Sequence, residues 1–120
     1  MRRVKFKVVR IYNGRRCSIF AEGSYHLEYP KGVIVRAREE TCGVAVFRTK
    51  KQAEAFRDNY LNLTIIHVRP VGRGRNVRSI CTDPSENQLD AFYRERRQNV
   101  VSESDVPPGT IFYPAVRVLD

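Results

Sequence analysis

The sequence predicts an α+β fold: a curved, mostly antiparallel sheet of about six or seven strands with two helices. Short segments rich in β-branched residues recur along the chain, and the turns between them are too frequent for a doubly wound parallel sheet. Helix-capping residues occur twice, at Thr49 and Asp83. Since 42% of the 120 residues are hydrophobic and no repeat or linker interrupts them, we expect one domain spanning residues 1–120.

The N-terminal residues predict a β-hairpin. Val4–Tyr12 has the alternation and β-branched content of a strand. Asn13-Gly14 follows it, and both residues tolerate the positive φ that a two-residue hairpin turn requires. We therefore expect residues 16–20 to return as the second strand.

A second hairpin is predicted from Ser24–Tyr29 and Val33–Ala37, which flank the turn residues Pro30-Lys31-Gly32. Tyr29 should lie on an apolar face of the first strand, because alternate side chains point to the same side. Gly43–Arg48 contains the apolar run VAVF and predicts a further strand.

The first helix is predicted over Thr49–Leu61. Thr49 can cap its N-terminus, and Gln52 three residues later completes a capping-box pattern. Ala53, Phe56 and Tyr60 then share one face at helical spacing.

The C-terminal half predicts two strands, a helix and a closing strand. Thr64–Val71 and Val77–Cys81 are expected to pair around the segment between them. The second helix begins at Asp83 and runs to about Arg97, and residues 98–109 are expected to form a loop. IFYPAVRVL, residues 111–119, predicts a final strand at a sheet edge, since Pro114 cannot donate to a ladder.

The charge balance favours an anionic partner. The chain has 22 Lys and Arg against 13 Asp and Glu, a net charge of +9, and most of the basic residues are arginine. Such an excess raises the local concentration of anions. Arginine also grips phosphate or carboxylate with a planar fork, which lysine cannot do.

The strongest candidate site is the stretch VRPVGRGRNVRS, Val68–Ser79. No acidic residue occurs from Asn59 to Thr82. If the flanking strands pair, GRGRN becomes an arginine-rich hairpin tip, and its glycines allow the backbone to approach a ligand closely. The alternative is a solvated loop in which glycine serves turn geometry and arginine serves solubility. The phosphate contacts predicted here are Arg69, Arg73, Arg75 and Arg78.

Two further basic groups are expected to assist. Arg15 and Arg16 follow the Asn-Gly turn, and Arg96 and Arg97 end the second predicted helix. No aromatic pattern of a base-reading module accompanies them, so we expect little sequence preference.

Catalysis and metal binding find little support. Cys17, Cys42 and Cys81 are widely spaced, and the only histidines are His26 and His67, so we expect no metal site and no cofactor. His26 and Glu28 share a strand face and could act as an acid/base pair, but such surface pairs also arise by chance. We predict no catalytic residue.

The chain is expected to work in the cytoplasm, or in the host cell interior if it is viral. Its basic N-terminus lacks the apolar run of a signal peptide, and no stretch approaches the length of a membrane span.

VAVFRTKKQAEAF and the ending PPGTIFYPAVRVLD resemble the layout of small uncharacterised accessory proteins of phages and archaeal viruses. The resemblance covers the C-terminal two-thirds of the chain by layout. It implies a virus-encoded accessory protein and identifies no site residue.

These observations predict a non-catalytic basic binding module that contacts nucleic acid or a nucleoprotein through arginines. Two alternatives stay open: an interaction or inhibitor module that docks on an acidic host protein, and a module that holds one nucleotide or phosphorylated ligand.

Overall fold

The computed structural model describes residues 4–19, 26–38, 41–77, 79–81 and 103–120. These residues form one helix, α1 (Lys50–Arg57), and nine strands: β1 (Lys5–Tyr12), β2 (Arg15–Cys17), β3 (Ile34–Arg36), β4 (Val44–Phe47), β5 (Leu63–Val71), β6 (Ser79–Cys81), β7 (Glu103–Asp105), β8 (Thr110–Tyr113) and β9 (Ala115–Val118). Seven strands form one sheet in the order β3-β9-β5-β1-β4-β8, with β2 also paired to β1, while β6 and β7 pair separately. The predicted α+β fold with a mostly antiparallel sheet is confirmed.

The first hairpin forms around Asn13-Gly14 as predicted. Asn13 has φ 51° and Gly14 has φ 73°, and Tyr12 pairs with Arg15 across the turn. The second strand, β2, ends at Cys17, earlier than expected.

Helix α1 begins after Thr49 and is shorter than predicted. The backbone N–H of Gln52 donates to Thr49 Oγ1 at 3.2 Å, which confirms the cap. Thr49 Oγ1 in turn donates to Gln52 Oε1 at 3.0 Å, so the Gln52 side chain binds the hydroxyl. The helix ends at Arg57, and Phe56 and Tyr60 remain in ring contact beyond its last turn.

The sheet packs on both faces. Side chains from six strands meet on the concave face, with Val9, Val46, Val68 and Val116 fully buried together with Tyr29. On the convex face, α1 covers β1, β4 and β5.

Ala53 of α1 lies fully buried against Val8 and Phe47 on that convex face. Burial of apolar area on two faces is the main stabilising term in such a fold.

A charged residue, Lys7, lies in the concave core. Its side chain is 8% exposed, its Nζ donates to the carbonyl of Ala45 at 2.8 Å, and the ammonium sits 5.2 Å from the Tyr29 ring centroid. Burial lowers the pKa of Lys7 to about 8 and raises the pKa of Tyr29 to about 12.

The predicted C-terminal strand is two strands with different partners. β8 pairs with β4 at one end of the sheet, and β9 pairs with β3 and β5 at the other. Pro114 alone separates them, so the sheet must curl until its two ends meet at this residue. β8 lies at the end of the sheet, so the predicted edge position is correct for this strand. It is wrong for β9, which lies between β3 and β5. Pro114 falls between the two ladders, so its missing N–H interrupts neither of them.

The second predicted hairpin is wrong in its pairing. The turn itself forms, with Gly32 at φ 81° and the Val33 N–H directed at Pro30 O at 3.4 Å. The residues before it bond to the end of β2, where Tyr29 N–H donates to Arg16 O at 2.9 Å. β3 pairs with β9, so the two arms join different strands.

The predicted pairing of Thr64–Val71 with Val77–Cys81 is also wrong. β5 has β1 along one edge and β9 along the other, so no edge is left for a hairpin partner. β6 pairs with β7, which lies inside the stretch 98–109 expected to be loop. The second predicted helix, from Asp83 to about Arg97, lies outside the described residues.

No helix within the described ranges is long and apolar enough to span a bilayer.

A candidate anion-binding pocket

The arginine-rich segment after β5 lies along β8. Gly72 turns the chain with φ 87°, and Arg75 then exchanges two backbone hydrogen bonds with Phe112, both 2.9 Å. The segment therefore covers the place where the two ends of the sheet meet. It is not the projecting hairpin tip that the sequence predicted.

The glycines of this segment permit close packing against the protein itself. A Cβ on Gly72 would lie 3.1 Å from Pro114 Cγ, and one on Gly74 would lie 2.7 Å from Tyr113 Cε1. Tyr113 is 1% exposed and cannot easily move aside. Their role is to bring residues 72–75 onto the junction between β8 and β9, rather than to admit a ligand to the backbone.

Arg75 is fixed by backbone carbonyls. Its Nε donates to Cys42 O at 3.2 Å and its Nη2 donates to Thr41 O at 3.1 Å. The Thr41 hydroxyl donates to Arg38 O at 2.8 Å and accepts from the Gly43 N–H at 3.3 Å. The guanidinium thus ties the chain entering β4 to the segment after β5.

Four arginines surround one pocket at this junction. Its volume is about 430 Å³. They come from two parts of the chain, Arg36 and Arg38 from the end of β3, Arg73 and Arg75 from the segment after β5. The other lining residues are Ala37, Thr41, Cys42, Gly43, Phe112 and Pro114.

The described lining of the pocket is electropositive, because it contains four arginines and no aspartate or glutamate. Arg36 and Arg73 are exposed, and neither has an ion-pair partner among the described residues. Four cations in one concavity focus the field and attract anions. A volume of this size falls in the range of small-ligand sites.

The arrangement is suited to an oxyanion. Guanidinium groups approaching from two sides can each bind phosphate with two parallel N–H donors. Pro114 is exposed and adds an apolar wall against which a sugar or base could lie.

The predicted pair Arg15 and Arg16 lies elsewhere, beside carboxylates. Arg15 Nη1 is 3.5 Å from Glu28 Oε2, and Arg16 Nη1 donates to the backbone carbonyl of Asp120. Partial burial acts to raise the pKa of Asp120, but hydrogen bonds from His67 and the charges of His67 and Arg16 outweigh it and lower the pKa. These two arginines are already engaged by the chain.

Arg69 lies on the convex face of β5 opposite Arg117 of β9, and it is not a lining residue of the pocket. Arg78, Arg96 and Arg97 lie outside the described residues. Of the eight predicted residues, the structure brings Arg73 and Arg75 into the pocket.

Sequence reasoning missed Arg36 and Arg38. The signal was present in VIVRAR, where basic residues alternate with apolar ones at the end of a strand. What could not be seen was the tertiary contact that brings this strand end beside Arg73.

The cysteine and histidine candidates show no catalytic arrangement in the part of the chain that the structure describes. Burial and the charge of Glu28 raise the pKa of Cys17, which disfavours the thiolate. Glu28 faces Arg15. No group of three or more His, Cys, Asp or Glu within the described ranges could hold a metal ion.

Comparison of the chain with protein-family models, with curated proteins and with solved structures found no match. The resemblance to viral accessory proteins therefore stays a prediction.

Proposed function

We propose that this protein is a non-catalytic binding module that holds the phosphate groups of nucleic acid, free or in a nucleoprotein, at the arginine pocket. One observation carries the proposal. Arg36, Arg38, Arg73 and Arg75 line a single pocket, and none of its described lining residues is an aspartate or glutamate.

Phosphate fits this pocket better than a carboxylate does. A phosphate presents several acceptor oxygens, so guanidinium groups on different sides can bind it at once. Arg75, held by two carbonyls, provides a fixed positive charge, while Arg36 and Arg73 are exposed and available. The docking of an acidic protein would need a broad surface, whereas these charges converge on a concavity.

Binding by this route should depend little on sequence. Phosphate contacts position a nucleic acid without reading its bases. The pocket's aromatic residue, Phe112, is only 3% exposed and so offers little surface for stacking. Affinity should therefore come mainly from charge and fall steeply with salt.

The test is the salt dependence of oligonucleotide binding for two matched double variants. Arg36→Ala with Arg73→Ala removes two pocket charges. Arg15→Ala with Arg57→Ala removes an exposed and a half-buried arginine, which face Glu28 and Asp58, so the change in net charge is the same. We expect the pocket variant to flatten the slope of log K against log salt by about 0.7 for each lost contact, and the control to keep the wild-type slope.

Equal losses of affinity in both variants would show that net charge acts without the pocket. A wild-type protein that binds no oligonucleotide, but forms a nuclease-resistant complex with an acidic protein, would replace this proposal with the interaction-module alternative.

A further inference from the structure

A second pair of arginines lies on the convex face of the sheet. Arg69 of β5 and Arg117 of β9 are register partners, so they stand directly opposite each other on the same face. Ile34 of β3 completes the row, since it pairs with Arg117 from the other side. Like charges placed opposite each other across two strands repel and destabilise the pairing.

The chain does not neutralise this pair within its described residues. Arg117 Nη1 reaches only the backbone carbonyl of Gly32, at 3.4 Å. Arg69 Nε is buried and has no hydrogen-bond partner there, and no described carboxylate lies in ion-pair range of either guanidinium. Arg117 is exposed and Arg69 is half-buried, so an anion from solution can approach the pair and offset the repulsion between the two charges.

The pair is next to the pocket on the same face. Arg36, which lines the pocket, is opposite Ala115, two residues from Arg117 on β9. Diagonal neighbours of this kind are about 7–8 Å apart. Arg69, Arg117 and Arg36 are therefore neighbours in a row on one face of the sheet, and Arg36 lines the pocket at the end of that row.

We propose that Arg69 and Arg117 form a second phosphate site, and that the partner is a single-stranded nucleic acid whose backbone runs from this pair into the pocket. This inference rests on the proposed function and adds the class of its partner. A single strand can place one nucleotide in a concavity and continue across the adjacent sheet, whereas a duplex keeps its bases paired inside. Ile34, 37% exposed beside the pair, offers apolar surface to a sugar or base.

The test compares ligands of increasing length, from thymidine 5′-monophosphate to thymidine oligonucleotides of about ten nucleotides. A mononucleotide can occupy the pocket alone, while a strand reaches both sites. Wild-type affinity should therefore rise with length and exceed that for a duplex of similar length.

The decisive variant is Arg69→Gln with Arg117→Gln, which keeps a polar side chain at each position and removes both charges. We expect it to bind the mononucleotide as wild type does, and to bind oligonucleotides at least about tenfold more weakly. The Arg36→Ala and Arg73→Ala variant should lose both ligands. Arg69→Lys with Arg117→Lys should restore part of the oligonucleotide affinity, because charge returns without the planar fork.

The outcomes separate the two proposals. Full oligonucleotide affinity in the Gln variant, together with loss in the pocket variant, would refute the second site and leave the pocket function standing. A duplex that binds as tightly as the single strand would refute the proposed partner. If neither variant lost affinity for any of the ligands, the proposed function itself would be refuted.

Discussion

At the scale of single residues, the unusual feature is Lys7, whose ammonium is enclosed in the concave core. The Ala45 carbonyl and the Tyr29 ring partly compensate for lost hydration. The lowered pKa of Lys7, about 8 against 10.5 when unperturbed, shows that burial dominates. At neutral pH the folded protein therefore carries a charge that opposes folding.

This burial predicts how stability depends on pH. Since the folded pKa lies below the unfolded one, the unfolded chain binds more protons between them, and stability rises with pH from about 8 towards 10.5. The free energy of unfolding, measured with urea, should rise by roughly 2 kcal/mol between about pH 7.5 and about pH 9.5 because of this group.

Lys7→Met should lack that gain, while the other titrating groups contribute alike in both proteins. The comparison stops below pH 10 because of Tyr29. Its pKa is raised in the folded protein, so above pH 10 the unfolded chain loses this proton first and stability falls again. Parallel pH profiles for the two proteins would contradict the enclosed charge.

At the scale of elements, the segment of residues 72–77 depends on contact with β8. Its two backbone hydrogen bonds to Phe112 require Gly74 to lie against the Tyr113 ring. Arg48 Nη2 also donates to Asn76 Oδ1 at 3.2 Å, which anchors the far end of the segment. Two pocket arginines are therefore positioned by packing that involves no ligand.

Gly74→Ala should destabilise the protein by about 1–3 kcal/mol, because a methyl group has no space beside Tyr113. Gly14→Ala provides the comparison: its Cβ would meet nothing within 4 Å, so only the positive φ of 73° is penalised. Thermal unfolding measures both. If Gly74→Ala unfolds at the wild-type temperature, the segment is not held against β8 as described.

Elements set by neighbouring residues were predictable from sequence, and those set by distant contacts were not. Asn13-Gly14 and the Thr49 cap act within a few residues, so the first hairpin and α1 were correctly placed. The pairing of β3 and β5 with β9 joins residues far apart in the chain, and hydrophobic alternation is compatible with several partners. Arg73 and Arg75 stood out by composition, whereas Arg36 entered the site only through that distant pairing.

At the scale of the whole molecule, the strands at the centre of the sheet have more hydrogen-bonded neighbours than those at its ends. β1 has β5 along one edge and β2 and β4 along the other, while β3 is three residues long and lies at the end of the sheet. Local opening is easiest where fewest strands hold a segment.

Amide hydrogen exchange should reflect this order. The N–H groups of Val8 and Val9 in β1 should exchange most slowly, near the rate of global unfolding, and those of β3 much faster. Equal protection in β1 and β3 would mean that the sheet opens only as one unit.

The single-residue link at Pro114 has a consequence for how the protein matures. β9 must insert between β3 and β5 before Arg36 can stand beside Arg73, and β8 must dock on β4 to support the segment that carries Arg73. During translation the pocket therefore cannot assemble until residues 110–118 have left the ribosome. A nascent chain that lacks these residues already contains the four pocket arginines but cannot bring them together.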